Sequence, residues 1–354
     1  MNSVSKPAAR PVRIMLVDDS LTVRTVFSRM LQREGNMQIV ASAGTAEVGL
    51  RELRKHPADV VLLDLEMPGM GGLEALPKIL AASPSTKVLV ISSLTAEGAE
   101  HTVEALRMGA ADTMLKPQPG GFNDEYREQL IGKIRALAGL APHELPKGSA
   151  PHPTKRTAGK RPQVLAIGAS TGGIHALNLF LRQVPKNFDL PILITQHLPA
   201  SFIPVFAQQM TLASGRKAVL ADEDVEIGRG QIVIAPGHGH MVVRKRAGRF
   251  LTGLAYHPVK SGCMPSVDPM FDTVAEAFDG HVAGILLSGM GRDGTDGADS
   301  IIGAGGSIYA QNADSCAVWG MPRDVTERGL ATAVLPPAEL ADKVLASAGA
   351  DAWR

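Results

Sequence analysis

Cysteine is almost missing from this chain. Cys263 and Cys316 are the only two in 354 residues, too few for a disulfide framework and without metal-ligand spacing, which fits a reducing compartment. Long apolar runs are missing too. Met1 to Arg13 are polar, with Lys6 and Arg10 and no secretory apolar stretch, and no later segment reaches the length that spans a bilayer. The expectation is a cytoplasmic protein that is not inserted in a membrane. Charge of one sign is lacking as well: a net charge of +1 with 20% charged residues leaves no overall basic field, so nucleic acid is not an expected partner. What is present is 45% hydrophobic residues, enough to core two domains of ordinary size.

Two α/β patterns flank a break. From Val12 to Ala138, apolar strands at Val12 to Val17, Gln38 to Ala41, Val60 to Leu63, Lys87 to Ile91 and Asp112 to Leu115 alternate with helix-period segments. That predicts a five-unit parallel sheet in a first domain, 1–138, with its core at 12–138. Residues 139–162 carry Pro142, Pro146, Pro151, Pro153 and Pro162 among Lys147, Lys155, Arg156, Lys160 and Arg161. This reads as a solvated, basic linker. In the second domain, 163–354, strands are expected at Val164 to Ile167, Ile192 to Thr195, Ile232 to Ala235, Val282 to Leu287, Ser307 to Ala310 and Ala333 to Leu335. Mostly separated by helices, they predict a doubly wound, mostly parallel sheet, with a β-hairpin inserted over Met241 to Tyr256.

In the first domain the acids fall at strand ends. Asp18 and Asp19 follow the first strand and Asp64 the third, so a parallel sheet gathers three carboxylates at its carboxyl edge. Ionised together they require a cation, and oxygen-only ligation favours Mg²⁺. Ser92 and Lys116, after the fourth and fifth strands, add a hydroxyl and a positive charge, the groups needed around a phosphorylated carboxylate.

In the second domain, Gly168-Ala169-Ser170-Thr171-Gly172-Gly173 ends a strand and opens a helix. A serine on such a turn projects its hydroxyl clear of the sheet, as in a nucleophile elbow. His197, just past the next strand, stands where a base is needed, and Asp293, in a glycine-rich loop after a later strand, can hold the imidazole tautomer. The order Ser, His, Asp differs from that of the α/β-hydrolases, so their topology is not implied. Rival readings match less well. The loop lacks the dinucleotide Gly-x-Gly-x-x-Gly with its ribose acid, and Asp293, Asp296 and Asp299 lack the alternating ligands of a calcium loop. His197, His238, His240 and His257 match no compact zinc spacing, and neither cysteine sits in an elbow.

Val17-Asp18-Asp19-Ser20, Asp64-Leu65-Glu66-Met67-Pro68, Ser92-Ser93 and Lys116-Pro117 resemble the response-regulator receiver domains over nearly all of 12–138. The resemblance implies a flavodoxin-like (βα)5 fold with Asp64 as phosphoacceptor. It further implies Asp18, Asp19, Asp64 and the Glu66 backbone carbonyl as Mg²⁺ ligands, and Ser92 and Lys116 as the groups that sense the phosphoryl. Gly71 stands where receivers usually carry Asp, and Thr113 where many carry an aromatic, so the resemblance does not extend to an aromatic switch.

From about Val12 to Leu345 the chain resembles the chemotaxis response-regulator protein-glutamate methylesterases, the CheB family. The motifs are the elbow above, Gln196-His197-Leu198-Pro199, Pro265-Ser266-Val267-Asp268, Gly289-Met290-Gly291-Arg292-Asp293-Gly294 and Gly320-Met321-Pro322. By that likeness Ser170 is the nucleophile, His197 the base and then acid, and Asp293 its orienting partner, with the backbone N–H groups of Thr171 and Met290 as oxyanion-hole candidates. Cys263-Met264 departs from the basic or polar residues that relatives tend to carry. The implied substrates are glutamate methyl esters on methyl-accepting chemoreceptors, hydrolysed to methanol without a cofactor. The implied phosphodonor is a chemotaxis histidine kinase, and the enzyme would work peripherally at receptor arrays. Two alternatives stay open: a receptor glutamine deamidase using the same triad, and a non-enzymatic, phosphorylation-dependent signalling protein.

A receiver, a triad and a Pro-rich tether together predict inhibition by coverage, since a tether holds one domain at high effective concentration beside the other. A shift of roughly 3 kcal/mol changes the open-to-closed ratio about a hundredfold. A fragment beginning near Pro162 is therefore expected to release methanol from methylated receptor faster than the unphosphorylated full chain and to ignore a phosphodonor. Steady-state rates for the full chain, its phosphorylated form and the fragment decide it, and a fragment no faster than the unphosphorylated parent rules coverage out.

Overall fold

The computed structural model describes residues 10–93, 95–117, 121–140 and 159–349. It divides into two compact units, Met1–His143 and Glu144–Arg354. The first runs β1 (Val12–Val17), α1 (Leu21–Gln32), β2 (Met37–Ala43), α2 (Ala46–Lys55), β3 (Val60–Asp64) and α3 (Gly71–Ala82). It continues with β4 (Lys87–Ser92), α4 (Ala96–Arg107), β5 (Asp112–Leu115) and α5 (Asp124–Leu137). The strands pair in parallel in the order β2-β1-β3-β4-β5, the flavodoxin-like order. Every residue of β3 is buried, which explains why it reads as an unbroken apolar run ending in one acid. Helices α1, α2, α4 and α5 start from Ser20, Thr45, Thr95 and Asn123, whose side chains accept from backbone N–H groups of the first turn.

The second unit runs β6 (Val164–Ala169), α6 (Gly173–Gln183), β7 (Ile192–Gln196), α7 (Ile203–Ser214), β8 (Ala218–Leu220) and β9 (Ile232–Ile234). The hairpin β10 (His240–Arg246) and β11 (Arg249–Ala255) follows, then α8 (Val267–Ala277), β12 (Val282–Leu286) and α9 (Thr295–Gly303). β13 (Ser307–Gln311), α10 (Met321–Glu327), β14 (Ala331–Leu335) and α11 (Pro337–Ser347) complete it. Seven strands pair in parallel in the order β14-β13-β12-β6-β7-β9-β8, and the hairpin forms its own sheet. The hairpin turn is Ala247-Gly248, both with positive φ, as a two-residue turn between twisted strands requires. Inner strands β6, β7, β9, β12 and β13 are wholly buried while the edges β8 and β14 are partly open. Strand β8 was not expected: three residues with one exposed give too short an apolar pattern to read.

The linker needs a correction at its second end. Gly159 N–H donates to Ser307 Oγ at 2.8 Å, Lys160 N–H to the Gly305 carbonyl at 2.8 Å and Arg161 Nε to the Ala348 carbonyl at 2.9 Å. Residues 159–161 therefore belong to the second unit. Their partners lie far along the chain, so composition alone could not place them. The prolines and basic residues expected within 141–158 lie outside the described residues.

Phe271 of α8 is fully buried, and it meets α9 where Gly297 leaves room and β12 at Gly284. Truncation to Ala should cost about 3–5 kcal/mol. A denaturant titration of Phe271→Ala is expected to lower the unfolding free energy of the second unit by that amount, moving its midpoint down, and to leave the transition of the first unit in place.

Candidate functional site

Strand order decides where side chains converge in the second unit. β6 starts the unit, with β7 on one side and β12 on the other, so the chain leaves β6 at a topological switch point, where open α/β sheets bind ligands beyond the strands' carboxyl ends. Ser170 follows β6, His197 follows β7 and Asp293 lies in the loop after β12. The pairing Ala169 with Gln196, and the bond from His197 N–H to the Ala169 carbonyl at 3.0 Å, set Ser170 and His197 on neighbouring strand ends.

The serine turn is built by close approach. Ser170 N–H donates to the Ser288 carbonyl at 3.0 Å, and the Gln196 side-chain amide donates to the Ser170 carbonyl at 2.9 Å. Gly172 has φ 78°, and a Cβ there would fall 2.4 Å from the Ala317 Cβ. Both conformation and space therefore demand glycine. Buried Ser288 donates its hydroxyl to the Thr171 carbonyl at 2.7 Å and accepts from Val318 N–H at 3.1 Å, joining three loops. The Gly289 backbone lies against the serine: a Cβ on it would sit 2.9 Å from the Ser170 Cβ, and Met290 follows directly.

Asp293 is buried and saturated with donors. Its Oδ1 accepts from Ser266 Oγ at 2.6 Å and Ser261 Oγ at 3.0 Å, and its Oδ2 from Val267 N–H at 2.7 Å and His197 Nε2 at 2.8 Å. Burial opposes ionisation, yet the contacts with His197, Ser266 and Val267 outweigh it and hold this carboxyl down to about 2. Burial likewise pushes the His197 imidazole down, but Asp293 on one side and the Cys263 sulfur beside it carry its pKa up to about 9. The carboxylate can only accept, so Nε2 carries the proton and, in the neutral ring, Nδ1 keeps a lone pair. Among the described residues no hydrogen bond joins Ser170 Oγ to His197. Such contacts are often long in the absence of substrate.

Several neighbours escaped the sequence reading. Ser266 and Gln196 stand within motifs but without a role, and Ser261 and Ser288 have none either. Only the fold brings their polar atoms to Asp293 and Ser170. Fully buried His240 accepts from Ser266 N–H through Nδ1 at 2.9 Å and meets the His257 carbonyl through Nε2 at 3.0 Å. Both its nitrogens are occupied, which fixes it as a neutral strut under Ser266.

In the first unit, Asp18, Asp19 and Asp64 bring carboxylate oxygens within 4.8 Å of one another. Asp18 and Asp64 are buried, and burial raises both, Asp64 to about 6. Asp18 Oδ2 is a buried oxygen with no hydrogen-bond partner. Lys116 Nζ contacts Asp64 Oδ2 at 2.6 Å, and Glu66 N–H donates to Asp64 Oδ1 at 3.0 Å. Ser92 is buried with its hydroxyl 3.4 Å from that of Thr113, so the structure brings Lys116, but not the Ser92 hydroxyl, into hydrogen-bond contact with Asp64.

Comparisons with known proteins give the family. The family model described as CheB methylesterase matches residues 165–344, and that described as response regulator receiver domain matches 14–121. The protein-glutamate methylesterase/protein-glutamine glutaminase of Azospirillum brasilense is 37% identical over 93% of this chain and 91% of its own. A protein-glutamate methylesterase/protein-glutamine glutaminase of Caulobacter vibrioides is 42% identical over 92% of this chain and 95% of its own. The CheB methylesterase catalytic domain of Thermotoga maritima superposes with a TM-score of 0.51 and 33% identity over 54% of this chain and 99% of that one. No helix among the described residues is long and apolar enough to cross a membrane. Sheet order, site and likeness over nearly the whole length lead to one assignment: the chain belongs to the CheB methylesterase family, with a response-regulator receiver domain ahead of the catalytic one.

Proposed function

We propose that Ser170, His197 and Asp293 carry ester hydrolysis in this CheB-family methylesterase, acting on glutamate methyl esters of chemoreceptors. The observation that carries the reading is the 2.8 Å contact of His197 with a buried, ionised Asp293, beside a strand end that bears Ser170. Ser170 Oγ attacks the ester carbonyl while its proton passes to Nδ1 of His197. Asp293 stabilises the imidazolium that forms. Backbone N–H groups of Thr171 and Met290 receive the oxyanion, His197 returns the proton to the departing methoxide, and methanol leaves. Water, deprotonated by the same imidazole, then attacks the acyl-serine and releases the glutamate carboxylate. A glutamine side chain passes through a corresponding tetrahedral intermediate to the same acyl-serine, with ammonia as the leaving group, and the names of the relatives favour this second activity.

Control is assigned to the receiver. Asp64 accepts a phosphoryl group, supplied by a chemotaxis histidine kinase, through a carboxylate oxygen, and Lys116 pairs with the phosphoryl oxygens once they replace its present contact. The acid cluster fits Mg²⁺: Asp18, Asp19, Asp64 and the Glu66 backbone carbonyl would hold it, with the orphaned Asp18 oxygen as one ligand. Bound there, the ion supplies positive charge that lets anionic donor and anionic carboxylate approach. The assigned hydrolysis steps need none.

Ser170→Ala is expected to lose at least about 10³ of methanol release with the fold intact. Asp293→Asn should also depress turnover by leaving the imidazole in the wrong tautomer. Unchanged rates in either variant, read by methanol assay on methylated receptor, remove that residue from the site. With Mg²⁺ and a small phosphodonor, intact-mass measurement should find one base-labile acyl phosphate that Asp64→Asn lacks, and the same adduct in the variant moves the phosphoacceptor elsewhere.

A further inference from the structure

We propose that Cys263, His197 and Asp293 form a binding site for Zn²⁺ whose occupation switches off the hydrolase. One ligand atom from each residue, the sulfur, a ring nitrogen and a carboxylate oxygen, lies within 4.8 Å of the other two. Tetrahedral zinc, with Zn–S of about 2.3 Å and Zn–N or Zn–O of about 2.0 Å, sets its ligand atoms roughly 3.3–3.6 Å apart. Sequence spacing gave no hint of the set, because the three residues come from separate segments joined only by the fold.

The donor set selects the metal. A thiolate, an imidazole and a carboxylate suit zinc, whereas the all-oxygen cluster Asp18, Asp19 and Asp64 suits a hard cation. Three protein ligands with Cys263 and His197 only partly buried leave a fourth position for water. The supports of a metal site are also present: Ser261 Oγ accepts from Cys263 N–H at 3.3 Å and donates to Asp293 Oδ1 at 3.0 Å, tying the cysteine loop to the carboxylate. Ser266 and Val267 hold the same carboxylate from the other side.

Binding releases the thiol proton and, from the protonated ring of His197, one ring proton to solvent. Metal on Nδ1 of His197 fills the lone pair that would take the Ser170 proton. Metal on Nε2 sends the ring proton to Nδ1, with the same result. The inhibitory consequence rests on the proposed role of His197 as base, while the binding itself does not.

The test uses the full chain with Mg²⁺ in excess, to keep the oxygen cluster of the receiver filled, and Co²⁺ as a spectroscopic probe. A sulfur-to-cobalt charge-transfer band saturating at one equivalent is expected in the parent and in Ser170→Ala, and is expected to vanish in Cys263→Ser although Cys316 remains. His197→Gln should weaken it by a second route. Zn²⁺ should suppress methanol release reversibly with a chelator, and Cys263→Ser, read against its own metal-free rate, should need at least about tenfold more zinc for equal inhibition. No charge-transfer band at saturating cobalt, or equal zinc sensitivity in Cys263→Ser, overturns the proposal. A Ser170→Ala enzyme that still hydrolyses ester while keeping the band overturns the triad and leaves the metal site standing.

Discussion

The catalytic unit is organised around one buried negative charge. Asp293 has no solvent to stabilise it, and an ionised carboxylate left unpaired at that depth would cost several kcal/mol. Four donors prevent this and draw three segments inward: Val267 N–H and Ser266 from the start of α8, Ser261 from the loop before it and His197 from the end of β7. The hairpin joins through His240, which takes the Ser266 N–H. One carboxylate thus sets the relative positions of four chain segments that the sheet alone would leave free.

The receiver solves the opposite problem. Asp18 and Asp64 are buried beside each other with too few donors, so burial raises both, and one oxygen of Asp18 stays orphaned. Asp293 has its charge satisfied from within the protein, whereas the receiver acids have few donors for theirs. The same side-chain type is saturated in one unit and undersupplied in the other because the number of fixed donors differs.

How much of this was legible in the sequence follows from the period of each signal. Parallel strands buried on both faces are written as apolar runs, so the two sheets, their order of appearance and the acids or serine at their ends could be read directly, down to Val12–Val17 with its limits unchanged. The hairpin was visible in its alternation and glycine turn. Strand β8 was not, since three residues at an edge leave almost no pattern. The support of Asp293 was also hidden: Ser261, Ser266 and His240 act through single hydrogen bonds to residues distant in sequence, and no periodicity encodes such bonds. Nor could spacing show that Cys263 stands beside His197.

Two kinds of helix start contrast. In the receiver, α1, α2, α4 and α5 begin with side chains that cap them, whereas α6 and α9, which open beside the serine and the aspartate, begin at left-handed Gly172 and Gly294. For an evolving sequence this means unequal freedom. A serine cap can drift to threonine, aspartate or asparagine and still do its work, so those positions carry several tolerated codon families. At Gly172, where a methyl group would strike Ala317, backbone shape is the inherited trait and one amino acid alone encodes it.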